Sequence, residues 1–279
     1  MTDQAPKPNK EGNHWLKALS PVLTYHEIAE QPSRYIYSAS SRQFDEHLRL
    51  FLELNLLSSP RIAVTFDDGK VSDHDFALPL LERYRIPATF FVTVGHIGNQ
   101  ASHMNWEQVR RIASLGHSVQ SHGWSHLLLT KASQSELYRE LVRSKKTLED
   151  RLGLPVASIS LPGGRWNADV LRACASAGYS QVYHSDPWSS IERRDNLEFL
   201  GRLMVRNTDS VGRLHRLLSR KRADLVRLWL QHQMKEAVKG VLGDDTYQYL
   251  WSSVGRLSRI TDARQKQTSS GPARGATDN

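Results

Sequence analysis

Short apolar runs alternate with helical patterns along the middle of the chain. The runs have the length and the β-branched or aromatic content of buried strands. They cover residues 21–25, 61–66, 88–94, 117–120, 158–161, 179–183 and 200–205. Strands that alternate with helices form parallel sheets, either open or closed into a barrel. The pattern therefore predicts an α/β fold, a distorted (β/α) barrel of about seven parallel strands.

Polar residues mark where the predicted helices begin. The first turns start at Ser41, Asn105 and Ser133. The helix from Ser41 has its apolar positions on one face, as a helix packed on a sheet requires. Ser133 and Glu136 have the spacing of a capping box, and the helix that they open is predicted to run to about Leu152.

Composition divides the 279-residue chain into four parts. Residues 1–19 form a polar, flexible arm and residues 264–279 a disordered tail rich in Ser and Gly. Residues 20–210 form the barrel. Residues 211–263 form a basic helical extension, in which Arg and Lys are interleaved with Leu and Trp.

The formal net charge of +8 has two open interpretations: it favours anionic partners, or it only aids solubility. Two interpretations of the basic extension remain open: an amphipathic helix on anionic lipid, or a helix packed on the barrel with a solvated basic face. We expect no nucleic acid partner. The start lacks the apolar core of a secretory signal, and no apolar run approaches the roughly 20 residues of a membrane span. The sequence predicts a cytoplasmic protein, with peripheral contact to the inner face of the membrane as one alternative.

Candidate chemistry falls where predicted strands end, which is where parallel α/β folds place their active sites. Asp67 and Asp68 follow one strand, and Gly69 lets the chain turn sharply. His122 and His126 follow another and can meet one metal if the segment coils as a helical turn. With Asp68 they supply three ligands, and a fourth position stays open as in catalytic sites.

Two motifs, Thr65-Phe66-Asp67-Asp68-Gly69 and His122-x-x-x-His126, resemble the first two motifs of the polysaccharide deacetylases. This family is also known as the NodB-homology domain or carbohydrate esterase family four. The resemblance covers roughly residues 20–210. It implies Asp67 as catalytic base, and Asp68, His122 and His126 as ligands of one divalent metal. Zinc suits this donor set, with cobalt, nickel and manganese as alternatives.

The third motif departs from the family pattern. Ser160 stands where the family has an Arg, and Gly163 stands at the aromatic place. Gly163, with Gly164 beside it, can offer a backbone N–H to an oxyanion. Arg165 is the candidate to replace the missing cation that steers the base. The fourth motif is approximated by Asp186-Pro187-Trp188, in which Trp188 would wall the acetyl pocket.

A histidine of the first strand is the candidate general acid. Leu23-Thr24-Tyr25-His26 resembles the poly-N-acetylglucosamine deacetylase branch, in which the fifth motif is permuted to the front. The first and last strands of a closed barrel are neighbours, so His26 can reach the site from there. A neighbouring carboxylate, with Asp186 as the candidate, is expected to keep the pKa of His26 near neutrality. His184 is the second candidate for the acid.

The resemblance implies hydrolytic N-deacetylation of an N-acetylhexosamine-containing glycan or glycolipid, in exopolysaccharide or cell-envelope biosynthesis. A lipid-linked sugar is one such substrate. Two other functions stay open. The first is hydrolysis of an amide or cyclic amide that is not a sugar. The second is a non-catalytic scaffold that binds glycan or lipid.

Overall fold

A computed structural model describes most of the predicted barrel. The described residues are 22–31, 33, 35–55, 63–187, 192–194, 196–219 and nine positions between 223 and 234. The predicted arm and the predicted tail lie outside them, as does Trp188.

The described residues form eleven strands and seven α-helices. The strands are β1 Val22–Tyr25, β2 Glu27–Ala29, β3 Ser38–Ser40, β4 Ala63–Phe66, β5 Ala88–Val92, β6 Ser118–Ser121, β7 Ser158–Ser160, β8 Gln181–Tyr183, β9 Glu192–Arg194, β10 Leu197–Leu200 and β11 Leu203–Met204. The helices are α1 Ser41–Glu53, α2 Leu78–Tyr84, α3 Trp106–Ser114, α4 Gln134–Tyr138, α5 Ser144–Leu152, α6 Ala168–Ser176 and α7 Val211–Leu218. A π-helical turn, Arg139–Arg143, joins α4 to α5.

Nine strands form one sheet in the order β11-β1-β4-β5-β6-β7-β8-β10-β9. Every neighbouring pair is parallel except β10 and β9, which are antiparallel. Strands β2 and β3 form a separate parallel pair. The predicted α/β class and the mostly parallel sheet are confirmed, with eight parallel strands where about seven were expected.

The sheet is curled because its two ends are joined by a very short connection. Strand β10 lies near one end of the sheet and β11 at the other, yet only Gly201 and Arg202 separate them. Three residue steps span at most about 10 Å, even when fully extended. The ends must therefore approach each other, which confirms the distorted barrel and the neighbouring positions of the first and last strands.

The prediction of one strand over residues 200–205 is wrong. Leu200 ends β10, where it lies opposite Tyr183, and Leu203 begins β11, where it lies opposite Leu23. The chain thus changes partner strands in the middle of the apolar run. An apolar run shows that both segments are buried but cannot show where pairing partners change.

The helix starts follow the predicted capping. The capping boxes at Asn105 and Ser133 are both present. The helical segment from Ser133 reaches Leu152 as predicted, with the π turn inside it. The first helix is capped one residue earlier than expected, because the Ser40 hydroxyl accepts the Gln43 N–H at 3.0 Å.

The described start of the basic extension packs on the barrel. Helix α7 has Ser210 as its N-cap, and it buries Leu214 and Leu217 while contacting α1. This favours the packed interpretation for residues 211–218. Most of the extension, including the basic residues 220–222, lies outside the described residues. Among the described helices, none is long and apolar enough to cross a membrane.

Candidate metal and catalytic centre

The loops after β4 and β6 bring the three predicted ligands together. One ligand atom from each of Asp68, His122 and His126 lies within 4.8 Å of the others. The Oδ1 atom of Asp68 is 3.4 Å from Nε2 of His122 and 3.4 Å from Nε2 of His126. Burial alone would raise the pKa of Asp68, but the two imidazoles lower it well below its usual value.

These donor atoms fit a divalent cation. The Asp68 Oδ1 atom is buried and makes no hydrogen bond with the described part of the chain, although both imidazole nitrogens are close to it. Tetrahedral zinc with bonds of about 2.0–2.1 Å holds neighbouring ligand atoms about 3.3 Å apart, which is close to the two distances seen here. The His122 Nδ1 atom is 2.8 Å from the Ser160 carbonyl oxygen, to which it donates in the tautomer that leaves Nε2 as the ligand.

The backbone at Asp68 and Gly69 is left-handed, which is a costly conformation for Asp68. Asp68 has a φ of +77° and Gly69 a φ of +78°, so two successive residues are left-handed. A Cβ atom on Gly69 would lie 3.0 Å from Val92 on the neighbouring strand. The sharp turn predicted at Gly69 is therefore present, and it needs glycine for both its conformation and its space.

The two histidines are not on a helical turn, so the prediction of their local structure is wrong. They lie on a loop in which Gly123 has a φ of +78° and His126 a φ of +63°. The positive φ at His126 is costly for a residue with a Cβ, and surrounding contacts must hold it.

Glu140 holds this loop. Its Oε2 accepts the N–H groups of Trp124 at 2.7 Å and Ser125 at 2.9 Å, and its Oε1 accepts the Ser125 hydroxyl at 2.5 Å. Glu140 is buried and belongs to the π turn between α4 and α5. A Cβ atom on Gly123 would lie 2.9 Å from Oε2, so glycine is needed for this approach. Single π turns often mark functional sites, and this one carries a side chain that anchors the loop.

Asp67 is held by an arginine that sequence analysis missed. Arg202 donates to Oδ1 of Asp67 at 2.7 Å and to Oδ2 at 2.8 Å, and both side chains are about 2% exposed or less. Ser160 completes the network, because its hydroxyl donates to Oδ2 at 3.0 Å and accepts from Arg202 at 2.8 Å. Burial would raise the pKa of Asp67, but Arg202 and then His122 outweigh it and lower the pKa to about 2.

Arg202 therefore binds Asp67 in the place that the sequence led us to expect for Arg165. Arg202 lies at the corner between β10 and β11, where the barrel closes. An arginine inside an apolar run is the one signal in the sequence that could have indicated a buried ion pair. Its partner could not be inferred, because Asp67 is 135 residues away.

His26 lies beside this centre. It follows β1, its ring stacks on Tyr37 at 5.1 Å, and its buried Nδ1 makes no hydrogen bond with any described residue. Burial lowers its pKa, while the charges of Asp67 and Asp68 oppose this effect. Asp67 and Asp68 are the carboxylates that act most strongly on His26, and its pKa stays lowered where the sequence predicted that a carboxylate would keep it near neutrality.

His184 is placed differently from His26. Its ring stacks on Phe199 at 3.9 Å, and its Nδ1 is 3.3 Å from the Asp186 N–H, which donates to it. His184 is thus packed into the core between the strands β8 and β10. Of the two candidates for the general acid, the geometry favours His26.

The remaining predicted residues lie on the loops after β7 and β8. Gly163 and Gly164 have φ values of +64° and +66°. A Cβ atom on Gly164 would lie only 2.1 Å from the Ser185 hydroxyl, so the two loops pack closely. The oxyanion role of Gly163 and substrate contacts by Arg165 and Asp186 stay predictions.

Comparison with known proteins gives consistent matches. Residues 56–182 match the family model for polysaccharide deacetylase. The chain is 27% identical over 205 residues to YxkH of Bacillus subtilis, named as a polysaccharide deacetylase, with 66% of this chain and 72% of YxkH covered. It is 33% identical over 134 residues to a chitooligosaccharide deacetylase of Bradyrhizobium, with 45% of this chain and 57% of that protein covered. A peptidoglycan-N-acetylglucosamine deacetylase of Listeria monocytogenes, PgdA, is 36% identical over 114 residues, which cover 40% of this chain and 23% of PgdA. The chain thus spans less than two thirds of the length of the latter two relatives.

Solved structures share the fold. The deacetylase PplD of Streptococcus pyogenes, solved with acetate, superposes with a TM-score of 0.61 at 22% identity, over 70% of this chain and 96% of that chain. BC0361, a polysaccharide deacetylase from Bacillus cereus, gives a TM-score of 0.63 at 23% identity, over 71% and 68%. IcaB from Ammonifex degensii gives 0.58 at 24% identity, over 71% and 95%.

Proposed function

We propose that this chain, whose residues 56–182 match the family model for polysaccharide deacetylase, is a metal-dependent hydrolase of N-acetylated glycans or glycolipids. The observation that carries the proposal is that a buried ion pair and the candidate metal site lie side by side. A buried carboxylate, Asp67, is fixed by Arg202, and it directly precedes Asp68 in the candidate metal site. A base next to a Lewis acid is the arrangement that hydrolysis of an amide requires.

A divalent metal held by Asp68, His122 and His126 would supply a Lewis acid that polarises an acetyl carbonyl and makes water more acidic. Asp67 takes the proton of the attacking water. Each carboxylate oxygen has two acceptor positions. Oδ2 uses both, for Arg202 and Ser160, whereas Oδ1 accepts one hydrogen bond from described residues. Oδ1 is therefore the atom that receives the proton.

The leaving amine needs a proton as the tetrahedral species collapses. His26 is the donor in this proposal, because it lies next to the two carboxylates and has a buried nitrogen without a hydrogen bond. Its lowered pKa makes the protonated ring a stronger acid. We propose the Gly163 N–H as the donor to the oxyanion.

The substrate class rests on the names of the relatives. One is named as acting on chitooligosaccharides and one on the N-acetylglucosamine of peptidoglycan, and these share an N-acetylhexosamine. A hydrolase of non-sugar amides could use the same residues. A non-catalytic scaffold is disfavoured, because it would have no use for a buried, oriented base beside three ligand atoms.

Acetate release tests the proposal. The zinc-loaded protein is incubated with N-acetylglucosamine oligomers, a peptidoglycan fragment and an N-acetylated amino acid amide. We expect acetate from at least one sugar substrate, and a loss of about 10²–10⁴-fold in kcat for Asp67→Asn with metal content unchanged. The control is Asp169→Asn, an exposed carboxylate on α6 that should keep full activity. Release from the non-sugar amide alone, or activity that survives Asp67→Asn, would contradict the proposal.

A further inference from the structure

A pocket opens beside the proposed catalytic centre, at the carboxyl ends of β8, β10 and β11. The space between its walls that protein atoms leave empty is about 540 Å³, a figure that includes open solvent. Its wall includes Tyr37, Arg202 and Arg206, and we call it the Arg206 pocket. Two of these residues also belong to the centre, since Tyr37 stacks on His26 and Arg202 binds Asp67. The pocket and the catalytic centre therefore share two side chains, Tyr37 and Arg202.

The charges that line the pocket do not balance. Arg202 is neutralised by Asp67. Arg213 is neutralised by Asp209, whose other oxygen accepts the backbone N–H of Arg206 at 2.8 Å. The guanidinium of Arg206 has no ion pair with any described carboxylate, although its residue is half-buried. One positive charge is thus left over in the pocket.

An arginine that lines a pocket without a counter-charge can bind an anionic group there at little cost. Arginine is suited to carboxylates and phosphates because its planar fork donates two parallel hydrogen bonds to them. Arg206 also acts on the phenol of Tyr37: burial raises the pKa of Tyr37, and Arg206 opposes this rise. Arg206 and Tyr37 line the same pocket, and the Tyr37 ring stacks on His26.

We propose that the Arg206 pocket is a subsite for an anionic group of the substrate, either a phosphate or a sugar carboxylate, next to the N-acetylated unit. This inference rests on the proposed function, because it places the acetyl group at the metal site. It narrows the substrate to an anionic glycan or a sugar phosphate, as opposed to a neutral polymer of N-acetylglucosamine.

Binding measurements test the inference independently of turnover. Dissociation constants are measured by calorimetry at low salt for three probes: N-acetylglucosamine 1-phosphate, an N-acetylglucosamine–glucuronic acid tetrasaccharide, and neutral N-acetylglucosamine tetramer. We expect at least one anionic probe to bind about tenfold or more tightly than the neutral one, as a charge-assisted contact allows. The identity of that probe distinguishes a phosphate from a carboxylate.

Substitutions assign the effect to Arg206. Arg206→Gln should reduce the preference for the anionic probe to about twofold or less, and Arg206→Lys should keep part of it, since a charge remains without the fork. Arg42→Gln, at an exposed position on α1, is the matched control and should keep the full preference. Equal binding of all probes, or a preference that survives Arg206→Gln, overturns the inference. Absence of acetate release with an intact Arg206-dependent preference would instead count against the proposed function alone.

Discussion

Replacing Arg202 by Met should destabilise the fold strongly, because it leaves a buried carboxylate without its counter-charge. The two side chains of the Asp67–Arg202 pair are 2% and 1% exposed, so solvent does not screen them. The pair has two short hydrogen bonds, and a third joins Arg202 to Ser160. Removing one partner of a buried ion pair costs about 3–5 kcal/mol. We expect Arg202→Met to lose a free energy of unfolding in this range at pH 7.

A double-mutant cycle separates the pair from other contacts of Arg202. Asp67→Asn alone also leaves one buried charge, whereas Asp67→Asn with Arg202→Met leaves none. We therefore expect the double variant to be more stable than the sum of the two single changes predicts. Urea unfolding in EDTA gives the free energies, since bound metal would add its own contribution to the folded state.

The pH dependence gives an independent check. The pKa of Asp67 is lowered to about 2 in the folded protein, below its usual value of about 3.9. A lowered pKa in the folded state stabilises the fold above the unfolded pKa, and the contribution is lost as the pH falls through the folded pKa. Without Arg202, burial raises the pKa of Asp67 in the folded variant. The difference between wild type and Arg202→Met should therefore begin to shrink above about pH 4 and continue to shrink down to about pH 2. A loss below about 1 kcal/mol at pH 7, within the range of an exposed pair, would refute the reasoning.

Three further outcomes are expected. Glu140→Met should weaken zinc binding by about 10–100-fold, because the loop that carries the histidines loses its anchor. Glu140→Gln can still accept the two N–H groups and should lose much less affinity. Equal zinc affinities of the two variants in a competition titration would contradict this role. His26→Ala should keep its metal and slow acetate release by about 10²-fold or more, and normal turnover in this variant with loss in His184→Ala would make His184 the acid. If the basic extension contacts anionic lipid at about 1 kcal/mol per basic residue, charge reversal at residues 220–222 should reduce co-sedimentation with anionic vesicles, and equal recovery with neutral vesicles would speak against the contact.

The fold was largely predictable because its signals are local. Buried parallel strands are short apolar runs, and capping boxes such as the one at Ser133 are read within four residues. The short strand β9 and the separate β2–β3 pair have no such runs, since β2 and β3 contain Glu27, Ser38 and Ser40 among few apolar residues. Their pairing is fixed by the surroundings and not by their own pattern.

The candidate site was predictable where its residues are adjacent in the chain, and not where they meet through the fold. Asp67 and Asp68 stand together, and the two histidines are four residues apart. Arg202 binds Asp67 from 135 residues away. Glu140 accepts the N–H of Ser125, which lies between the two histidines, from 15 residues away. No local sequence pattern indicates either contact. Supporting contacts of this kind depend on which strand and helix ends face each other, which is a property of the closed barrel.

Substituting the residues at positions 160 and 202 tests whether the counter-charge of Asp67 can come from another strand. The family pattern places an arginine at position 160, whereas here a serine fills the position and an arginine from the β10–β11 corner reaches the same carboxylate. Ser160 is fully buried, so Ser160→Arg alone should overpack the site and lose about 1–3 kcal/mol. Combined with Arg202→Met, the same change supplies the missing counter-charge, and the roughly 3–5 kcal/mol at stake in that charge exceeds the cost of overpacking of about 1–3 kcal/mol. We expect the double variant to be more stable in urea than Arg202→Met. If the double variant is instead less stable than Arg202→Met, because the losses of the two single variants add, then only an arginine from the β10–β11 corner can stabilise the carboxylate of Asp67.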